Sequence, residues 1–454
     1  MIPSSVDNQS PPEAKIALFR SLFRGREDVF PRRFESQKTG KSGYQPVCEN
    51  EWVRDLCDKR RVRCAECSHR RFLPVTDEVF RRHLSGQDEL GRDFVMGVYP
   101  MLPDETTFFL AVDFDKKTWM EDVRAVLETC VRLSLPAALE RSRSGNGGHL
   151  WIFFDEALPA SLARKLGAHL LTETMEHRPE LGLDSYDRMF PNQDTLPGGG
   201  FGNLIAMPLQ KRPREWGNSV FPDEWLEPHE DQWAFLSSLR KLGRSEVEAL
   251  VRDAEHGDRI VGVRLSGVED EDEMPWTTPP SRRREPPPIL GPLPESLELV
   301  LGNQIYIPKA GLPSSLLNRL HRIAAFQNPE FYKAQAMRLP TYDKPRVIAC
   351  AEDYPQHVGL PRGCLEEVCD LFSRLKIPVL VRDERHAGQP LAVSFQGELR
   401  PEQARAVEAL LLHDTGVLAA TTAFGKTVAA AALIARRGVN TLVLVHRKIG
   451  RAHV

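Results

Sequence analysis

The stretch Thr106 to Asp115, TTFFLAVDFD, constrains the fold of this chain more than any other. It is an apolar run rich in β-forming residues, and it ends in two carboxylates one residue apart. Side chains at i and i+2 of a strand point the same way, so Asp113 and Asp115 are predicted to project together from the strand's end. Two like charges that close need a cation between them. A hard divalent ion such as Mg²⁺ is held by one or two carboxylates plus substrate phosphates, which is a chemical reason to end a buried strand in Asp-Phe-Asp. A solvated strand-to-turn junction is the alternative that this motif alone leaves open, since Asp also favours turns.

About thirty residues on comes Ala138 to Phe154, ALERSRSGNGGHLWIFF. Its glycines let backbone N–H groups approach a phosphate, with Arg141, Arg143 and Ser144 as side-chain donors, and His149 opens an apolar strand. An ordinary glycine turn in a hairpin is the other reading. A third segment, Ser185 to Gln210, puts Asp187 and Asp194 ahead of a further strand expected over Asn203 to Leu209.

In this order the motifs resemble those of the archaeo-eukaryotic primase superfamily: DxD, a Ser-x-His-type motif and a later acidic residue. Here they read Asp113-Phe114-Asp115, then Ser144 to His149 with four residues rather than one between Ser and His, then Asp187. RSRSGNGGH, and FPNQD followed by GNLIAMPLQ, resemble the TOTE conflict system branch, whose primases are fused to helicases. The resemblance implies an α+β primase-polymerase catalytic domain with an RRM-like mixed sheet, in a mobile-element or defence conflict system. It implies DNA-templated nucleotidyl transfer, with two Mg²⁺ or Mn²⁺ ions on Asp113, Asp115 and Asp187 and with His149 in the catalytic set. Arg143, Ser144 and Gly145 would bind the incoming nucleoside triphosphate, and DNA, or RNA, would be template and primer. Asp194 is the rival for the third carboxylate. Two other function classes compete: a non-catalytic nucleic-acid-binding adaptor of a helicase, and a metal-dependent nuclease.

With 454 residues the chain should divide into about three domains. A hydrophobic content of 41% with 27% charged residues indicates a globular protein, and no apolar run has membrane-spanning length, so a cytoplasmic location is expected. The formal net charge of −3 gives no global nucleic-acid signature. Contacts to nucleic acid are therefore expected from local clusters: Lys59 to Arg63, Arg282 to Arg284, and the loop carrying Arg24, Arg26, Arg32, Arg33, Lys38 and Lys41.

Residues 1–12 read as disordered, and 13–262 as the primase-like domain. Within it, Cys48, Cys57, Cys64 and Cys67 fall in a window read as a zinc knuckle, 44–74. Four thiolates would close a tetrahedral structural Zn²⁺ site, with His69 a lower-ranked substitute and free thiols the alternative. Asp93 to Tyr99 and Phe108 to Phe114 are predicted to pair as a hairpin. The acidic and Pro-rich stretch 266–296 reads as an extended linker. Residues 297–393 are expected to form one helicase-associated α/β module, or a duplex-grasping domain with Lys333, Arg338 and Arg346 on phosphates.

The segment 397–448 carries Gln403 ahead of a helix, an expected strand over Thr415 to Ala420, and Gly425-Lys426-Thr427 at a helix start. In the P-loop arrangement backbone amides and the helix N-terminus hold phosphates, Lys426 reaches the β/γ oxygens and Thr427 binds Mg²⁺. The segment resembles superfamily 2 helicases, which implies ATP as its ligand and Gln403 as its adenine reader. Leu442 to Val445 is expected as the next strand. The remaining helicase motifs are absent, and the tail 449–454, IGRAHV, resembles a translated sequencing adapter. A truncated P-loop RecA-like domain without helicase ATPase activity is therefore expected.

Overall fold

The computed structural model describes residues 5–444 apart from 37, 60, 257–258, 262, 264–287 and 290. Two compact units divide the chain: Met1–Gly291 with Pro313–Ala349, and Pro292–Leu312 with Cys350–Val454.

The first unit opens with α1 (Pro12–Leu22), the paired β1 (Pro31–Glu35) and β2 (Ser42–Pro46), α2 (Asp77–Ser85) and β3 (Gly97–Val98). Then come β4 (Thr106–Phe114), α3 (Trp119–Arg132), β5 (Ala138–Arg141), β6 (Gly148–Pro159) and α4 (Ala160–Met175). After these follow β7 (Met189–Phe190), β8 (Ile205–Ala206), α5 (Lys211–Arg214), α6 (Gln232–Ser238) and α7 (Arg244–His256). The central sheet runs β5-β6-β4-β7, with every neighbouring pair antiparallel rather than mixed.

Both faces of this sheet are covered, which is why β4 and β6 read as nearly continuous apolar runs. Leu110, Val112, Phe114, Leu150, Ile152 and Phe154 alternate onto one face and share a core with Val123 and Val126 of α3 and Leu166 and Leu170 of α4. Phe109, Ala111, Trp151 and Phe153 occupy the other face, with Phe19, Leu22 and Phe23 of α1 and Trp233 and Leu236 of α6. Asp113 and His149 continue this second face. They are polar residues at the edge of an aromatic core.

Beyond β9 (Leu297–Leu301) and β10 (Ile305–Pro308), the chain contributes α8 (Ser314–Ile323), β11 (Ala325–Gln327), α9 (Pro329–Ala336) and β12 (Val347–Ala349) to the first unit. Ala325 and Val347 lie in the same core as Leu110 and Leu170. The second unit holds a five-stranded sheet of β13 (Glu352–Asp353), β14 (His357–Leu360), β10, β9 and β15 (Val379–Asp383), with β15 parallel to β9. It also holds α10 (Leu365–Arg374), α11 (Pro401–Leu411) and α12 (Lys426–Arg437), the last two packing through Val407, Ala429 and Ala432.

Several expectations differ from this arrangement. Residues 5–11 are ordered rather than disordered: Val6 is fully buried and its N–H donates to Ser237 Oγ at 2.9 Å. β3 pairs with β8 and not with β4, because β4 already has β6 on one side and β7 on the other. The strand expected over 203–209 shortens to β8. The stretch 297–393 is not one module, since residues 313–349 lie with the first unit. No strand forms at 415–420, where the backbone is coil and Val417 is 93% exposed. An apolar run becomes a strand only where another strand offers a ladder, and residues 441–444 are likewise coil. Most of the expected linker (266–287 and 290), the basic Arg282 to Arg284, Arg60 and the tail 449–454 lie outside the described residues.

Candidate active site

Register across the central sheet builds the site. Asp113 of β4 faces His149 of β6, and His149 faces Glu140 of β5, so three polar side chains form a row over three strands. His149 Nδ1 donates to Glu140 Oε2 at 2.9 Å, and His149 Nε2 lies 3.6 Å from Asp113 Oδ1. Glu140 is 1% exposed and also accepts from Trp151 Nε1 at 3.0 Å and from Ser219 Oγ at 3.4 Å. Burial disfavours the imidazolium, but the charge and hydrogen bond of Glu140, then Asp113, outweigh it and raise His149 above the usual histidine range. The ring thus lies between two carboxylates, with Nδ1 on Glu140 and Nε2 on the Asp113 side, an arrangement that favours the imidazolium.

The Ser-Gly turn is tight. Gly145 N–H donates to Ser142 O at 3.0 Å, Ser142 N–H to Gly147 O at 2.9 Å, and Asn146 N–H to Ser144 Oγ at 3.2 Å. Gly145 has φ +77, which favours glycine. A Cβ on Gly147 would meet Phe114 O at 2.6 Å, so glycine lets this turn lie directly against the end of the Asp-Phe-Asp strand. Ser144 is exposed. Arg143 bonds Gln210 Oε1, whereas Arg141 is spent holding the carbonyls of Gly217 and Leu226. Of the basic loop, Arg26, Arg32 and Arg33 are paired with Asp28, Asp88 and Glu35.

At the far edge of the sheet Asp113 N–H donates to Arg188 O at 3.0 Å, which brings the segment ending in Asp187 alongside the end of β4. The Arg188 guanidinium pairs with Asp115 and approaches Asp184 at 3.5 Å, and Lys116 Nζ bonds Asp184 at 2.7 Å. Asp187 accepts the Arg346 N–H on both oxygens, at 2.9 and 3.2 Å. Burial raises its pKa, against the Arg346 N–H and the charges of Arg346 and Arg164. Asp194 is different. Burial would raise it too, but Arg164, Arg346 and Gln335 prevail and lower it. Arg346, read from the sequence as a phosphate contact, is 3% exposed, and Arg338 pairs with Glu105. Burial keeps Arg346 from meeting a phosphate backbone, whereas Arg338 remains exposed beside its partner.

All-oxygen donors fit a hard divalent ion, and Arg188 acts as counter-ion to Asp115. The four cysteines Cys48, Cys57, Cys64 and Cys67 are half-buried thiols in one turn-rich segment, and Cys48 Sγ accepts the Arg71 N–H at 3.3 Å. Burial and then the nearby Cys57, Cys48 and Cys67, with Lys59 opposing, raise the Cys64 thiol, so the four share one electrostatic neighbourhood. This donor set fits zinc. Among the described residues no three His, Cys, Asp or Glu side chains are gathered as an ion-holding group.

In the second unit Gly425, φ +84, precedes α12, and Lys426 and Thr427 are exposed at its start. Lys426 Nζ donates to Ala420 O and Thr421 O at 2.9 Å. Gln403 is 4% exposed, accepting from Arg400 N–H and donating to Phe424 O at 2.8 Å, so it ties α11 to this turn.

Glu140, Asp184 and Arg188 escaped the sequence reading. A signal existed for Glu140: a lone acid inside the short apolar strand ALE, one turn before the histidine strand. Asp184 lies in a short 3-10 turn, Leu183–Asp187, and Arg188 directly after it; their role comes only from their neighbours. Among the described residues no helix is long and apolar enough to cross a membrane. No curated protein matches the chain. The family described as TOTE conflict system, Archaeo-Eukaryotic Primase domain, matches residues 14–250, more than half of the chain and all of the Glu140, His149 and Asp113 row. The chain belongs to this family of primase domains.

Proposed function

We propose that the first unit is a primase-polymerase that joins nucleoside triphosphates on a nucleic-acid template. The observation that carries this reading is the Glu140, His149, Asp113 row, which ends at an acidic group and abuts a Ser-Gly turn. Asp113, Asp115 and Asp187 would hold two Mg²⁺ or Mn²⁺ ions, which when bound lower the pKa of an attacking 3′-hydroxyl and neutralise triphosphate charge. Asp187 is favoured over Asp194 as the third carboxylate. Asp194 is already neutralised by Arg164, whereas Asp187 is bonded by an uncharged N–H.

The chain's own residues bind and orient. His149, oriented at Nδ1 by Glu140, offers its Nε2–H to a triphosphate oxygen, and Arg143 and Ser144 add donors, while Gly145, whose N–H is spent on Ser142 O, shapes the turn. Catalysis on this reading is mostly placement of charge. Cys48, Cys57, Cys64 and Cys67 would bind a structural zinc that fixes a segment too polar to fold by burial. Gly425, Lys426 and Thr427, with Gln403 behind them, would bind ATP phosphates as part of a coupled helicase.

The test is strand extension by purified protein with Mg²⁺ or Mn²⁺, a primed template and nucleoside triphosphates. Extension that Asp113→Ala abolishes is expected. Shortening of the labelled strand would instead identify a nuclease, and binding unaffected by divalent ions, with neither product, an adaptor. Elemental analysis of protein purified without chelator should find about one zinc per chain, lost in the Cys64→Ser, Cys67→Ser protein.

A further inference from the structure

We propose that residues 313–349 are a working part of the catalytic unit, a clamp that positions the third acidic loop, residues 187–195, through Gln335 and the backbone of Arg346. The inference rests on the nucleotidyl-transfer reading. The family match ends at residue 250, so nothing in it assigns a role to this segment.

The loop needs such a partner. Between β7 and β8 it has almost no strand of its own, and backbone groups outside a ladder must be satisfied elsewhere. The clamp supplies those bonds. Gln335 uses both ends of its amide: Oε1 accepts Asp194 N–H at 2.9 Å, and Nε2 donates to Asp194 Oδ2 at 2.9 Å. Thr195 Oγ1 donates to Gln335 O at 3.0 Å, Thr341 Oγ1 to Gln193 Oε1 at 2.9 Å, and Gly198 N–H to Arg338 O at 2.9 Å. At the loop's start the Arg346 N–H meets both oxygens of Asp187.

The clamp is itself rigidly held. The Arg346 guanidinium stacks on Phe331 with 4.3 Å to the ring centroid and donates to Asn192 O at 2.8 Å. Asn328 caps α9 through Glu330 N–H and takes Pro345 O with its amide, while its own N–H reaches Arg346 O at 2.9 Å. β11 and β12 close the base by antiparallel pairing. Both candidate third carboxylates are thus oriented by groups more than 130 residues away in sequence. Gln335 and Arg346 are positioning residues, because they act through Asp194 and Asp187.

The experiment uses the full chain with Gln335→Ala, which deletes two bonds to Asp194, and Gln335→Glu, which sets a second carboxylate against it. Glu330→Gln, exposed on the same helix, is the control. Hydrogen exchange of residues 187–196, Mn²⁺ binding followed by electron paramagnetic resonance, and kcat and KM for strand extension are measured. In Gln335→Ala the loop should exchange about tenfold faster and Mn²⁺ should bind more weakly, with kcat down about tenfold and nucleotide KM near that of the parent. Gln335→Glu should be worse, and Glu330→Gln unchanged. Unchanged exchange and Mn²⁺ binding in both Gln335 variants would overturn the inference, as would faster exchange with unaltered Mn²⁺ binding, which makes the contact purely structural. If Asp113→Ala retains full extension in the same assays, the nucleotidyl-transfer reading fails instead, and exchange still judges the clamp.

Discussion

His149 Nδ1 and Glu140 Oε2 lie 2.9 Å apart on adjacent strands, with the carboxylate sealed beneath the sheet's aromatic face. Replacing Glu140 by Gln keeps the shape but removes the charge from two buried hydrogen bonds, at a cost of about 2 kcal/mol. The Glu140→Gln protein should melt earlier, and its His149 should titrate lower than in the parent when followed by NMR. Strand extension should fall with it. A parent-like His149 titration would show that Glu140 does not set the charge of the ring.

Arg188 is the counter-ion of Asp115 and approaches Asp184. Removing it leaves the carboxylates at the end of β4 to repel one another unless a divalent cation replaces it. Arg188→Ala should therefore lower the melting temperature in chelator and respond more strongly than the parent to added Mg²⁺. Saturation to 100 times Kd would contribute about 2.7 kcal/mol. Equal responses of the two proteins in calorimetry would argue against a cation site there.

A Cβ at Gly147 would press on the carbonyl of Phe114, which is backbone and cannot swing aside. Gly147→Ala should cost about 1–3 kcal/mol and displace the Asp113 and Asp115 end of the strand, so extension should drop more than stability alone explains. Gly198→Ala, where a Cβ meets nothing within 4 Å, is the control and should stay near the parent in urea unfolding.

His83 of α2 is fully buried, with Met96 N–H donating to Nδ1 at 3.2 Å and Nε2–H donating to Pro208 O at 2.8 Å. Burial lowers its pKa from 6.5 to about 4, with the Pro208 carbonyl opposing. A depressed value means that the stability it contributes is present above the unfolded value and is lost as pH falls through the folded one. Between pH 6.5 and about 4 the unfolded chain takes up a proton that the folded one refuses, for a loss of about 3 kcal/mol. Urea midpoints at pH 7 and pH 4 should differ accordingly. His83→Gln should flatten that difference, and a slope unchanged by the substitution would assign it to other groups.

Much was legible in the sequence. The apolar run does form a strand, β4, with Asp113 near its end and Asp115 just beyond it, and the helices α1, α3, α4, α6 and α7 follow from apolar residues at helical spacing, because these are local properties of the chain. His149 at the head of β6 and the glycine turn before it were legible for the same reason.

What tertiary structure decided is which residues meet. That Glu140 lies under His149, that Arg188 neutralises Asp115 and that the backbone of Arg346 holds Asp187 all depend on pairings between segments distant in sequence. Strand register sets such pairings, and it is fixed by the burial of both sheet faces at once rather than by any one segment. The return of residues 313–349 to the first unit was invisible because its decisive donor is a backbone N–H, which every residue except proline carries. The apolar run at 415–420 taught the converse: β-forming residues alone made no strand, because a ladder requires a partner.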